Sequence, residues 1–121
     1  MEPKTVLVVD DANIVRQLCM LTLMRMGYTV ILAVNGMDAL KKLHDTKVDL
    51  VITDVNMPEM NGIQLIRSLR QLPQTKSTPI IVLTTLSLEN HVNEGMVAGA
   101  NAWIYKPFDA NMLMRTVWRF R

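Results

Sequence analysis

The chain has 121 residues and a mass of 13.7 kDa, which predicts one domain that buries roughly two-thirds of the surface its unfolded form exposes. Thirteen Lys and Arg against eleven Asp and Glu leave a net charge of +2, too small to indicate direct nucleic-acid binding or attraction to a membrane. The single Cys19 cannot form an internal disulfide, and no apolar run approaches the ~20 residues of a membrane span. We therefore expect one domain over residues 1–121, cytoplasmic and without membrane insertion.

Five short apolar runs alternate with helical patterns along the chain. They cover residues 6–9, 30–34, 50–53, 80–83 and 103–105. Each run is too short for a helix, and most are rich in β-branched side chains, which is typical of strands. Their near-continuous apolar character is typical of parallel strands covered by helices on both faces.

Apolar residues recur at helical spacing after each run, so that each predicted helix carries one buried stripe. The stripes consist of Ile14, Leu18 and Leu21; Leu40 and Leu43; Ile63, Ile66 and Leu69; Val92, Met96 and Ala100; and Leu113, Thr116, Val117 and Phe120. Asp109 is placed to cap the last helix, and the helical position of Cys19 predicts a small buried hydrophobe. Five βα units predict an α/β fold, a doubly wound five-stranded parallel sheet with helices on both faces.

Four of the predicted strands end on residues that phosphoryl chemistry uses. These residues are Asp10 with Asp11, Asp54, Thr84 and Lys106. Because the carboxyl ends of parallel strands meet at one edge of a sheet, their side chains are expected to share one crevice. Three carboxylates, a hydroxyl and an ammonium there would suit a hard divalent cation and a phosphoryl group.

Each of these residues also has an ordinary explanation. The Asp10-Asp11 pair could be a turn and helix cap, Asp54 a loop carboxylate, Thr84 a β-former and Lys106 a solvated charge. Singly, the ordinary explanation would prevail. Four coincidences at the same edge of one sheet favour the functional interpretation.

Five motifs in order resemble the receiver domain of bacterial two-component response regulators. They are VVDD at 8–11, DVNMP at 54–58 with Gly62, LTT at 83–85, AGA at 98–100 and KPF at 106–108. The resemblance covers nearly the whole chain. It implies a flavodoxin-like sheet of strand order 2-1-3-4-5 and, since no output domain follows, the single-domain chemotaxis type of the family.

The resemblance also implies the roles of the acidic residues. Asp54 would accept a phosphoryl group from a phosphohistidine on a sensor histidine kinase. Asp11, Asp54 and the main-chain carbonyl of Asn56 would ligate Mg²⁺, with Mn²⁺ as the alternative metal, while Asp10 supports the ion through water. Such a chain is a self-modifying switch and not a classical enzyme.

The remaining motif residues are implied to bind the phosphoryl group and to signal. Lys106, followed by a cis bond to Pro107, would contact the phosphoryl oxygens, and the Thr84 hydroxyl would move toward them. Trp103, larger than the Tyr or Phe often found at its position, would turn into the space behind Thr84. The surface of the fourth helix, fifth strand and fifth helix would then bind a target such as a flagellar motor switch component.

Two alternatives use the same site. A phosphorelay carrier would pass the phosphoryl group from Asp54 to another histidine protein, and a metal-dependent phosphohydrolase would turn over small substrates. The hydrolase is disfavoured because no residues of a substrate pocket are evident. The resemblance implies that the residue two positions after Thr84 lies beside the path of the hydrolytic water. Here that residue is Leu86, which offers no hydrogen bond, so we expect slower loss of the phosphoryl group than in relatives with a polar residue there.

Overall fold

The computed structural model describes residues 4–55, 61–84 and 98–120. The described elements are β1 (Thr5–Val9), α1 (Asn13–Arg25), β2 (Thr29–Ala33), α2 (Gly36–Leu43), β3 (Leu50–Asp54), α3 (Gly62–Gln71), β4 (Ile80–Thr84), β5 (Ala102–Tyr105) and α4 (Ala110–Trp118). All strand pairs are parallel and the sheet order is β2-β1-β3-β4-β5. The predicted fold and strand order are confirmed, and no strand end differs from its expected position by more than one residue.

The predicted helix marked by Val92, Met96 and Ala100 lies mostly outside the described residues. Ala100 itself is described and buried. Asp109 caps α4 as expected, because its side chain accepts a hydrogen bond of 2.9 Å from the Met112 amide. No helix in the described part of the chain is long and apolar enough to cross a lipid bilayer.

The core lies on both faces of the sheet. Successive residues of a strand point to opposite faces, so Leu7 packs in the layer of α2 and α3 while Val8 packs in the layer of α1 and α4. The inner strands β3 and β4 are buried throughout. The apolar run of β5 likewise predicts that helices cover both faces of this edge strand. This prediction is wrong, because Trp103 is 39% and Tyr105 42% exposed.

Helix α1 buries a different face from the expected one. The spacing predicts a buried stripe of Ile14, Leu18 and Leu21. The structure instead buries Cys19, Thr22 and Leu23, and it leaves Ile14 82% exposed. Thr22 can be buried because its hydroxyl donates a 2.8 Å hydrogen bond to the Leu18 carbonyl oxygen, which satisfies its polar group inside the helix.

Candidate functional site

The sheet order brings the predicted polar residues to one edge. β1 pairs with β3, β3 with β4 and β4 with β5, all in parallel, so their carboxyl ends point the same way. Asp10 follows β1, Asp54 and Thr84 are the last residues of β3 and β4, and Lys106 follows β5. These residues therefore lie together at the carboxyl ends of β1, β3, β4 and β5, where the common crevice is predicted.

Three carboxylates gather at this edge. One ligand oxygen from each of Asp10, Asp11 and Asp54 lies within 4.8 Å of the other two. Asp10 is fully buried and Asp54 is 5% exposed, whereas Asp11 is exposed. Because neighbouring buried carboxylates repel one another and lose hydration, this cluster is stabilised by any cation that enters it.

Lys106 brings such a positive charge to the cluster. Its Nζ donates a 2.7 Å hydrogen bond to Asp10 Oδ2 and lies 3.4 Å from Asp54 Oδ2. Burial of the ammonium disfavours its charge, but the hydrogen bond to Asp10 and the attraction of Asp10 and Asp54 outweigh burial, so the pKa of Lys106 is raised. Lys106 is accordingly charged over the physiological pH range.

Both carboxylate oxygens of Asp10 are engaged within the protein. Oδ1 accepts a 2.9 Å hydrogen bond from the Ala12 amide, and Oδ2 accepts the bond from Lys106. The Asp10 carbonyl oxygen accepts a further bond of 2.7 Å from Arg16 Nη1. Sequence reasoning missed Arg16, because an arginine in the first turns of a helix is ordinarily a solvated charge.

The start of α3 is held tightly against the end of β3. Asn61 and Gln64 form a capping box at the start of α3, with bonds of 2.9 and 3.0 Å between each side chain and the other residue's amide. The Gly62 amide donates a 3.0 Å bond to the Val55 carbonyl oxygen. A β-carbon at Gly62 would overlap the Asp54 carbonyl oxygen, so only glycine fits beside the acidic residue.

A backbone hydrogen bond joins Thr84 and Lys106. Thr84 is 2% exposed, and its carbonyl oxygen accepts a 2.7 Å hydrogen bond from the Lys106 amide. The Lys106–Pro107 peptide bond is cis, as the resemblance implies. A displacement of Thr84 would thus act directly on the residue that contacts both buried carboxylates.

The remaining predicted site residues are distributed differently. Trp103 lies in β5 and is 39% exposed, so it is not a residue of the buried core. Asn56, the predicted donor of a main-chain carbonyl to the metal, lies outside the described residues. Leu86, on which the slow-hydrolysis prediction depends, also lies outside them.

The family model of the response regulator receiver domain matches residues 6–118. The chain belongs to this family. The match extends from the second residue of β1 to the end of α4 and includes both acidic segments of the site. The resemblance found in the motifs is therefore confirmed, and the chain is a receiver domain of two-component signalling.

Receiver domains of chemotaxis proteins are among its relatives. Chemotaxis protein CheY1 of Helicobacter pylori is 43% identical over 111 residues, covering 88% of this chain and 88% of that protein. The structure of Vibrio cholerae CheY4 matches with a TM-score of 0.94 and 39% identity, covering 98% of this chain and 99% of that one. These similarities place the chain in the CheY type of the receiver family.

A third relative was solved with a metal ion. The receiver domain of sensor histidine kinase PA1611 from Pseudomonas aeruginosa has a magnesium ion coordinated in its active site cleft. It matches this receiver domain with a TM-score of 0.89 and 26% identity, covering 98% of this chain and 97% of that one.

An apolar groove of about 370 Å³ borders the site of this receiver domain. It is lined by Ile14, Val15, Leu18, Lys106, Pro107 and Phe108. Ile14 is 82% exposed, which places a large apolar side chain in solvent in the same groove as Lys106. An apolar surface at this position is suited to a protein partner rather than to a small ionic substrate.

Proposed function

We propose that Asp54 accepts a phosphoryl group from a phosphohistidine of a sensor histidine kinase and that the modified domain then binds a downstream protein. The observation that carries this proposal is the position of Lys106 Nζ, 3.4 Å from Asp54 Oδ2 and 2.7 Å from Asp10 Oδ2. An ammonium held between two buried carboxylates can stabilise the negative charge of a phosphoryl group on Asp54. The family match over residues 6–118 supports one receiver domain across residues 1–121.

The donor set fits Mg²⁺. Carboxylate oxygens are ligands this ion prefers, and oxygens on opposite sides of it stand about 4.2 Å apart. Asp11 and Asp54, with the main-chain carbonyl of Asn56, are the proposed ligands. Since both oxygens of Asp10 already accept hydrogen bonds, Asp10 is better placed to support the ion through water. Mn²⁺ uses the same oxygen donors and is the alternative metal.

Bound Mg²⁺ would supply the positive charge that lets a carboxylate approach an anionic donor. An Asp54 carboxylate oxygen attacks phosphorus while the bond from phosphorus to the histidine nitrogen breaks, and the electron pair returns to the imidazole. The Lys106 ammonium meets the transferred oxygens, and the Thr84 hydroxyl donates to one of them. The chain is consumed as the acceptor, so it acts as a switch and not as a catalyst that turns over substrate.

The groove beside Lys106 supports a protein as the donor. Ile14, Pro107 and Phe108 offer apolar contact within reach of the acidic cluster. A kinase domain seated there would present its phosphohistidine to Asp54 with the surrounding water removed, which strengthens the electrostatic contacts.

The exposed side of β5 and α4 supports a protein as the target. Trp103, Tyr105 and Met112 are between 38% and 42% exposed, and aromatic and Met side chains are common at protein interfaces. Together with the helix predicted at Val92 and Met96, they would form the surface that changes on phosphorylation. The relatives named as chemotaxis proteins support a role in chemotaxis, and the proposed target there is a flagellar motor switch component, as the resemblance implies.

Intact-mass measurement after incubation with acetyl phosphate and Mg²⁺ tests the acceptor. We expect a mass gain of one phosphoryl group that is absent in Asp54→Asn and when the metal is chelated. Asp45→Asn, which alters an exposed carboxylate away from the site, is the matched control and should be modified like the native chain. Modification of Asp54→Asn to the native extent would refute the proposal.

A further inference from the structure

We propose that a groove between the C-terminal ends of α1 and α4 docks an acidic amphipathic helix of a partner protein, whether or not Asp54 is phosphorylated. The groove has a volume of about 510 Å³ and is lined by Arg25, Met26, Met114, Arg115 and Trp118. It is distinct from the apolar groove beside Lys106.

The groove lies at the opposite edge of the sheet from the acidic cluster. α1 begins just after β1 at the carboxyl edge and ends at Arg25, four residues before β2 starts at Thr29. α4 begins after β5 at the same carboxyl edge and ends at Trp118. Both helices therefore run back along one face of the sheet, and their C-terminal ends meet at the amino edge. A ligand bound there does not touch Asp54.

The floor of the groove is apolar and accessible. Met26 and Met114 contribute flexible thioether side chains, which adapt to the shape of an apolar partner. Trp118 is 61% exposed. Apolar and aromatic side chains that line a concavity open to solvent are typical of an interaction site.

Two guanidinium groups line the apolar floor. None of the ion pairs among the described residues involves Arg25 or Arg115. Each lies in the last turn of its helix, where a positive charge complements the helix dipole. Because the two helix ends meet, both guanidinium groups line the same apolar groove. Two arginines beside an apolar groove complement a partner surface in which carboxylates flank an apolar stripe.

An amphipathic helix is the occupant with this chemistry. The groove between two packed helices can receive the side-chain ridge of a third helix, and apolar residues at helical spacing would enter the floor. Glutamates beside that stripe would pair with Arg25 and Arg115. A lipid surface fits less well, because the groove is concave and the chain carries a net charge of only +2.

A fluorescein-labelled designed peptide is the probe. It is a helix of about 18 residues with leucines at i, i+3, i+4 and i+7 flanked by glutamates, and a second peptide has every glutamate replaced by lysine. Fluorescence anisotropy with the whole chain should show binding of the acidic peptide only. The double variant R25E/R115E should weaken this binding at least about tenfold, whereas Arg67→Glu, on exposed α3 surface, should leave it unchanged.

The same titration with beryllofluoride and Mg²⁺ should give an affinity within about twofold of the untreated value, because the groove is at the far edge of the sheet. Acetyl phosphate should phosphorylate the R25E/R115E variant to the same extent as the native chain. This measurement separates failure of this inference from failure of the proposed phosphorylation. Unchanged circular dichroism and thermal unfolding of the variant establish that it is folded.

Four outcomes of the peptide titrations would overturn the inference. They are no binding of the acidic peptide at about 1 mM protein, equal binding by the lysine peptide, native affinity in R25E/R115E, and loss of affinity in Arg67→Glu. Binding to phosphatidylserine-containing vesicles without binding to the peptide would also overturn it, in favour of a membrane. Self-association that R25E/R115E abolishes, again without peptide binding, would assign the groove to a second copy of the chain.

Discussion

Lys106 determines how much negative charge the acidic cluster retains. Asp10, Asp11 and Asp54 carry three formal negative charges, and the single ammonium leaves a balance of −2. A divalent cation neutralises this remaining charge, whereas a monovalent cation leaves half of it uncompensated. The shorter contact of the ammonium is to Asp10, whose two oxygens both accept hydrogen bonds, and this supports Asp11 and Asp54 as the proposed metal ligands.

Mg²⁺ should therefore raise the thermal stability of the chain, since it binds the folded cluster and not the unfolded chain. At a concentration about one hundred times its dissociation constant, the gain in unfolding free energy is ~2.7 kcal/mol. Scanning calorimetry across a Mg²⁺ series measures the shift in melting temperature. Asp11→Ala should abolish most of it, while Asp45→Ala should respond like the native chain. A full Mg²⁺ response in Asp11→Ala would refute the ligand assignment.

Cys19 is a buried residue of α1 whose ionisation opposes folding. Burial, with a smaller contribution from the charge of Asp10, raises the pKa of its thiol to about 12, above the ordinary value of 9.0. Between these pH values the folded chain keeps the thiol proton and the unfolded chain releases it. Stability contributed by the neutral thiol is thus fully present below pH 9.0 and is lost as the pH rises toward about 12.

The native thiol should accordingly react very slowly with Ellman's reagent at pH 8 and react at once in denaturant. Above pH 9.0, the free energy of unfolding should fall more steeply in the native chain than in Cys19→Ala, by up to ~1.4 kcal/mol per pH unit. Urea titrations of both proteins between pH 8 and pH 11 measure the difference. Parallel pH dependence of the two would contradict the burial argument.

At the scale of elements, Arg70 ties the end of α3 to the start of β5. Its guanidinium donates to the carbonyl oxygens of Gly99, Thr75 and Thr78 at 2.7 to 3.1 Å. It also donates to the Asn101 side chain at 3.0 Å. Desolvation lowers the pKa of Arg70, although these acceptors satisfy its donors. One side chain thus anchors two connections of the sheet.

Arg70→Met should lower the free energy of unfolding by roughly 2–4 kcal/mol, because several carbonyl groups lose their donor at once. Arg70→Lys should recover little, since an ammonium cannot reproduce the planar fork of donors. The matched control is Arg67→Met, an exposed position of the same helix, which should change stability by no more than about 0.5 kcal/mol. Chemical denaturation measures all three, and equal losses at the two positions would refute the role of Arg70.

The elements differ in how far their sequence predicts them. β3 and β4 are buried on both faces, so their apolar residues run without interruption and their bounds could be predicted. α1 carries apolar residues on more than one face, and the burial of Thr22 depends on a bond to its own helix that periodicity does not detect. Arg70 could not be predicted either, because its partner Gly99 lies 29 residues away in sequence.

At the scale of the molecule, the sheet connects the acidic cluster to the exposed surface of β5. Thr84 pairs with Tyr105, and Val82 pairs with Trp103, so the last residue of β4 lies beside the strand that carries both exposed aromatics. The Lys106 amide, bound to the Thr84 carbonyl oxygen, adds a second link. A change at Asp54 therefore has a short physical route to β5.

The sequence predicted which strands end in polar residues but not which strands are neighbours. Apolar periodicity gives the number of strands, whereas their order depends on how the connections cross the sheet. The family motifs imply the order 2-1-3-4-5, and the pairing of β1 with β3 in this order places Asp10 beside Asp54. Arg16 remained unpredicted because its contact is to a main-chain oxygen, which no side-chain pattern records.

Trp103 is 39% exposed, so it has room to become more buried if the phosphorylated domain draws Thr84 inward. In the Trp118→Phe background, fluorescence reports Trp103 alone, since the chain has two tryptophans. We expect beryllofluoride with Mg²⁺ to lower acrylamide quenching of Trp103. Because a shift from 1:99 to 99:1 requires about 10⁴-fold preference for one state, the expected change is partial.

Thr84→Ala distinguishes coupling from a local effect of the ligand. The variant should still bind beryllofluoride, as measured by fluorine NMR, because Asp54 and Lys106 are retained, but quenching of Trp103 should respond much less. Thr22→Ala, a buried threonine of α1 away from the acidic cluster, is the matched control and should respond like the parent. If native and Thr84→Ala proteins bind beryllofluoride with the same change in quenching, Thr84 does not transmit the signal. If quenching of Trp103 changes in neither protein while beryllofluoride is bound, Trp103 is not the residue that moves. The target surface must then respond through other side chains.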